Sequence, residues 1–158
     1  MNDLKPTDRA DADAVEASLE LAAERGGDLA PRVYARLFER QPEMQALFWR
    51  DSNHGIRGEM LAKVFEAILD FIGPRAYAHH LIETEVVTHE GYDVPRGVFA
   101  TFFGIVAELV RETCGADWTP AMDGAWKRTL ADLDHYVTQR GQGLPARASP
   151  PAGVATGN

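Results

Sequence analysis

Apolar positions along this chain recur three and four residues apart, the period of a helix that buries one face. Val15, Leu19 and Ala22 carry that spacing through about 13–25, after a polar lead-in containing Pro6, and Gly26-Gly27 stops it. Asp28 can cap a second helix. Pro31 falls in its first turn, and Val33, Tyr34, Leu37 and Phe38 form an apolar stripe holding one hydroxyl. Pro42 breaks this helix; 42–48 reads as a short tight helix and 49–53 as a loop. The clearest amphipathic stretch follows, with Leu61, Val64, Phe65, Ile68 and Ile72 on one face and Gly73-Pro74 at its end. A further helix is expected over about 75–90, with Ile82, Val86 and His89 at spacings of four and three. Val94 precedes a proline and is pushed out of helical geometry, so Pro95 opens the next helix. Its long face is Phe99, Phe102, Phe103, Val106, Leu109 and Val110, and Gly115 ends it. Thr119-Pro120 starts the last helix, which packs through Met122, Trp126, Leu130, Leu133 and Val137.

Six or seven amphipathic helices and no convincing strand must bury their stripes on one another, so the fold class is all-α. The expected organisation is a flexible lead-in over 1–12, one helical domain over 13–140, and a disordered tail over 141–158, where Gly, Pro, Ala and Ser dominate. With 158 residues the chain is long enough for one domain with a real core.

Charge and cysteine usage narrow the partners. The net charge of -8 argues against binding nucleic acid or an anionic membrane through bulk charge. No apolar run approaches the length of a membrane span. The first residues lack an apolar run after a basic start, so no signal peptide is expected. Cys114 is the single cysteine, which rules out an internal disulfide and fits a reducing compartment. The cytoplasm is the expected location.

The candidate chemistry gathers at Val87-Thr88-His89-Glu90-Gly91-Tyr92-Asp93-Val94-Pro95. His89 closes one helix, Gly91 breaks it, and Val94-Pro95 opens the next. A histidine there, flanked by apolar helices, is placed to hold something in the core. A haem iron is the strongest candidate, because neutral imidazole is a standard proximal ligand for it. The plain alternative is a satisfied core histidine. Glu85, one turn earlier, can accept the second imidazole N–H and make the ring more electron-donating, or can be a solvated surface residue. His79, His80 and His135 read as surface residues, and Cys114 as a packed thiol.

These residues resemble a globin. His89, with Val94 and Phe99 following, is similar to the proximal segment of that family. The likeness continues through Cys114-Gly115-Ala116-Asp117-Trp118-Thr119-Pro120 to Ala125-Trp126, as in neuroglobin-like and bacterial single-domain globins. Tyr34-Ala35-Arg36-Leu37-Phe38, Pro42-Glu43 and Leu47-Phe48 resemble the globin domain of flavohaemoglobins. The resemblance runs from about Val15 to Val137. It implies a globin fold of six to eight helices around a haem pocket, with haem b as cofactor and O2, NO or CO as ligands.

The resemblance also implies roles. His89 corresponds to the proximal iron ligand. Phe48 corresponds to the phenylalanine that wedges against the porphyrin. Tyr34 corresponds to the distal tyrosine, whose phenol can donate to bound O2. The distal-helix position that often holds His or Gln falls on Arg57, whose guanidinium stays protonated and can instead meet a propionate or an anion. Leu61 corresponds to the apolar residue beside the gas, and Val94, Phe99 and Leu130 to further haem contacts. The loop after Phe48 is one residue shorter than in flavohaemoglobins, which leaves His54 as a rival distal residue. The acidic partner of the flavohaemoglobin proximal triad falls in Gly141-Gln142-Gly143, its tyrosine is Phe99, and no reductase domain is expected to follow. The expected function is therefore reversible O2 binding. The alternatives are haem redox chemistry (NO dioxygenase or peroxidase-like, with an external reductase), gas sensing through a partner, and a haem-free interaction module.

Overall fold

A computed structural model describes residues 5–139, with the side chains of Phe99 and Gln139 outside the description. The expected tail over 141–158 and the first residues of the lead-in therefore lie outside the described residues. Within them the chain forms α1 (Arg9–Gly26), α2 (Ala30–Arg40), a 3-10 helix (Pro42–Phe48), α3 (Gly55–Ile72), α4 (Ala78–Gly91), α5 (Arg96–Cys114), a second 3-10 turn (Gly115–Asp117) and α6 (Pro120–Gln139). No strand occurs among the described residues, and none of their helices is long and apolar enough to cross a membrane.

Two boundaries differ from the periodicity. α1 begins at Arg9, earlier than its apolar stripe, because the first turn gains support from outside the helix. Arg128 of α6 grips both Asp11 oxygens at 2.6 and 2.7 Å. α4 begins at Ala78 rather than near Arg75. The cause is Asp70, a buried carboxylate at the end of α3 that accepts the backbone N–H groups of Ala76, Tyr77 and Ala78 at 3.2, 3.0 and 2.7 Å. That cluster of acceptors satisfies the orphan donors at the start of α4. It also holds Arg75 at φ 50, where its Nε donates to the Phe71 carbonyl at 2.7 Å.

Elsewhere the punctuation behaves as expected. Asp28 accepts the Ala30 N–H at 3.0 Å at the start of α2, and Thr119 accepts the Met122 N–H at 3.1 Å at the start of α6. Gly27 follows α1 at φ 59, the left-handed region in which glycine is least strained.

α1 packs on α5 and α6, and α5 packs on α6, around Val15, Val106, Val110, Trp126 and Leu133. Trp126 Nε1 donates to Ser18 Oγ at 2.8 Å, so the indole is paired inside this core. The Cys114 thiol is buried there and reaches the Ser18 carbonyl at 3.4 Å. It is a packed thiol, and burial pushes its pKa up. α2 lies across α5, and Arg36 forms a two-pronged pair with Glu112 at 2.7 and 3.0 Å. Arg40 meets Glu108 at 2.7 Å. Exposed pairs of this kind contribute little energy each, but they fix the register of α2 on α5.

Candidate functional site

α2 packs on α3 and α5, and α4 packs on α3, α5 and α6. Among them lies a cavity of about 480 Å³, well inside the range of ligand-sized pockets. Its inner walls are apolar: Leu37 of α2, Val64 and Ala67 of α3, Ile82 of α4, Val98, Phe102 and Phe103 of α5. Tyr34, Phe48, His89 and Val94, expected from the sequence, all line this one cavity.

His89 sits in the last turn of α4. Its Nδ1 is 2.7 Å from the Glu85 carbonyl and 3.6 Å from the Glu85 carboxylate. A carbonyl only accepts, so Nδ1 must carry the proton, and in the neutral ring Nε2 then bears the lone pair. The backbone of α4 thus selects both tautomer and ring orientation. This revises the reading of Glu85: its main-chain oxygen takes the short bond, and its carboxylate, half-buried, stands farther off.

Tyr34 is 2% exposed. Its ring sits among Phe48 and Phe102, each with centroids 5.4 Å away, and Phe38 at 6.1 Å. Its hydroxyl is buried and has no hydrogen-bond partner among the described residues. A buried hydroxyl left unpaired is costly, and native interiors rarely tolerate one without a use. Burial pushes the phenol far above its ordinary pKa, although the nearby Arg57 charge opposes the shift, so the group stays protonated and can donate.

Three of the expected residues, Arg57, Leu61 and Leu130, do not line this cavity. Arg57 does not line the cavity; it lines a smaller neighbouring pocket with Phe38 and His54. The reason is Asp51, a buried carboxylate that accepts the backbone N–H groups of Ile56 and Arg57 at 3.0 and 3.1 Å and lies 3.3 Å from Arg57 Nε. The guanidinium is drawn back over the Phe38 and Phe48 rings, at 5.2 and 5.3 Å. The α3 residues on the cavity are Ile56, Met60, Lys63, Val64 and Ala67, one helical face. Leu61 belongs to the adjacent face and is buried in the core with Ile68 and Ile72. Leu130 packs against the core without lining the cavity. His54 is exposed at φ 60 just before α3 and also lies off the cavity. The Phe99 side chain lies outside the description, while Val98 and Phe102 of its helix line the site.

Sequence reasoning passed over Met44, Arg50, Met60 and Lys63, which also line the cavity. Met60 was detectable as the middle of the four-residue step from Ile56 to Val64, with Lys63 three residues after it. The signal is weak because Leu61, Phe65, Ile68 and Ile72 form a stronger stripe one residue over.

His79 and His80 lie ring to ring at 4.1 Å, and among the described residues no three His, Cys, Asp or Glu side chains cluster as ligands for a bare metal ion. The cavity residues do fit a large apolar cofactor that brings its own metal. Its walls are largely apolar, and one imidazole and one orphaned phenol line the same space.

The chain is thus a helical domain with a histidine and a tyrosine on one apolar cavity. The family model for Globin matches residues 31–137, and the chain belongs to the globin family. No curated protein matches the chain.

Proposed function

We propose that this protein binds O2, and NO and CO as competing ligands, at a haem b iron held by His89, with Tyr34 as the donor to the ligand. The observation that carries the reading is the pairing of two polar groups on one apolar cavity: an imidazole whose Nδ1–H is committed to the Glu85 carbonyl, and a buried phenol with no partner.

Bound haem supplies a ferrous iron that takes one diatomic gas. His89 offers Nε2 as a neutral donor, and the short bond from Nδ1 to the α4 backbone prevents the ring from turning. Phe48 and Phe102 set the Tyr34 ring by edge and tilted contacts, so the phenol holds its proton at a fixed place. A donor preorganised in an apolar space gains more from a partly negative acceptor than it would in water. Leu37, Ile82, Val98 and Phe103 give the cavity an apolar wall that would disfavour water beside the bound cofactor.

The carrier reading is favoured over a redox enzyme by the His89 geometry. Strong donation from imidazole to iron needs a carboxylate on the second nitrogen, and the short partner here is a neutral carbonyl. Turnover of NO with an external reductase remains the competing outcome. The test is the absorption spectrum of purified protein, ferric, ferrous and ferrous-CO, for wild type and His89→Ala. A Soret band that requires His89 is expected. A colourless wild type supplied with ample haem, or haem binding indifferent to His89→Ala, refutes the proposal. Rapid NO consumption coupled to a reductase would assign the same site to the enzyme reading.

A further inference from the structure

The smaller pocket that takes Arg57 is a groove of about 350 Å³ between the start of α2, the first 3-10 helix and the start of α3. None of its lining residues lines the main cavity, so it is a separate space. Arg57 is largely buried, its side chain 17% exposed. Its Nε is buried with no hydrogen-bond partner among the described residues, so the 3.3 Å approach of Asp51 is an ionic contact only. A buried N–H left unfilled is costly, as the Tyr34 hydroxyl is.

The carboxylates nearby are spent on helix starts. Asp51 gives its two oxygens to the backbone N–H groups of Ile56 and Arg57, at the positive end of α3. Asp28, which lines the groove, gives Oδ1 to the Ala30 N–H at the start of α2. Three side chains that carry N–H donors, Arg57, His54 and Gln45, share the groove. Ala35 and Phe38 of α2 supply an apolar wall, and the Arg57 guanidinium lies over the Phe38 ring at 5.2 Å.

A guanidinium takes a carboxylate through two parallel N–H donors. Donors alone would suit any anion, but the apolar wall favours one with a hydrocarbon body. We infer that this groove binds a small organic acid, its carboxylate on Arg57 with His54 and Gln45, and its body on Ala35 and Phe38. The occupant would stand one ring away from Tyr34, because Phe38 packs on that phenol with centroids 6.1 Å apart. The inference goes beyond the haem reading and does not depend on it.

The test is equilibrium dialysis of labelled benzoate against the full-length protein. Benzamide serves as the uncharged isostere, and inorganic phosphate as an anion without a hydrocarbon body. One benzoate per chain is expected, with a Kd on the order of 1 mM for so small a ligand. Loss of a charge-assisted hydrogen bond predicts binding at least about tenfold weaker in Arg57→Gln, and a similar deficit for benzamide. Arg57→Gln also strips Asp51 of its cation, so Ala35→Phe is compared as the second variant. Ala35 is exposed on α2; the larger side chain fills the groove and leaves the Arg57–Asp51 pair in place. Benzoate binding that survives Ala35→Phe, benzamide binding as tight as benzoate, or displacement by phosphate at equal concentration overturns the assignment. So does an absence of benzoate binding about tenfold above that Kd. His89→Ala should bind benzoate as wild type does, because the groove and the main cavity share no lining residue. Failure of the groove therefore leaves the His89 proposal standing, and a protein that takes up no haem leaves the groove to be judged by benzoate alone.

Discussion

Tyr34→Phe separates the two states of the site in one substitution. The phenylalanine ring can keep the contacts to Phe48 and Phe102 at 5.4 Å, so packing is conserved and only the hydroxyl is removed. In the haem-free chain that hydroxyl is buried without a partner. An unsatisfied buried polar group costs about 1–3 kcal/mol. Removing it should therefore stabilise the haem-free protein, by about 1 kcal/mol once water entering the cavity is allowed to satisfy part of the phenol. In the gas-bound holoprotein the sign reverses. On the proposed function the phenol donates to a partly charged acceptor, an interaction worth about 1.5–3 kcal/mol, so its loss should speed O2 release roughly ten- to hundredfold. CO carries less charge at its outer atom, and its release should change far less. Urea unfolding of the haem-free proteins gives the first number, and stopped-flow displacement of O2 by CO gives the second. O2 release unchanged by Tyr34→Phe refutes the donor role. A haem-free Tyr34→Phe protein less stable than wild type would show that the hydroxyl already had a partner.

Three further outcomes follow from the same structure. Glu85→Gln should leave the reduction potential of the haem close to wild type, because the short bond from His89 goes to the main-chain carbonyl; a large positive shift in a spectroelectrochemical titration would restore the carboxylate to the leading role. Asp70→Ala should destabilise the fold by about 2–4 kcal/mol, since one buried carboxylate caps three backbone donors at the start of α4. Burial alone would raise the Asp70 pKa, but the three N–H donors outweigh it and hold the carboxyl below its ordinary value. A depressed pKa means the native state binds this proton less readily than the unfolded chain, so the contribution is present above the ordinary carboxylate pKa and fades as pH falls through the lowered one. Chemical denaturation across acidic pH should show wild type losing stability along that course and Asp70→Ala lacking this component. Gly26→Ala should destabilise by about 1–3 kcal/mol, because its new Cβ would lie 2.7 Å from Thr113 Cγ2 and 2.9 Å from Leu29 Cδ2; thermal unfolding at or above the wild-type midpoint would contradict that clash.

The sequence by itself determined the helices, because their information is local. Apolar spacing, Gly26-Gly27, Pro42, Gly73-Pro74 and Thr119-Pro120 act within a turn or two of chain, and elements end or begin where those residues stand. It also pointed to Tyr34, Phe48, His89 and Val94, which line one cavity. Tertiary structure decided what depends on groups brought together from afar. Asp70 reaches past Gly73-Pro74 to start α4 later than the pattern suggests, a bond whose partners no periodicity connects. Asp51 draws Arg57 away from the cavity, and a rotation of one residue around α3 exchanges Leu61 for Met60 and Lys63. The sequence spacing cannot resolve that step, because one residue turns a helix by about 100° and two neighbouring apolar faces compete for the core. The choice between carbonyl and carboxylate at His89 is likewise a matter of a single ångström, settled only by where the α4 backbone places its oxygens.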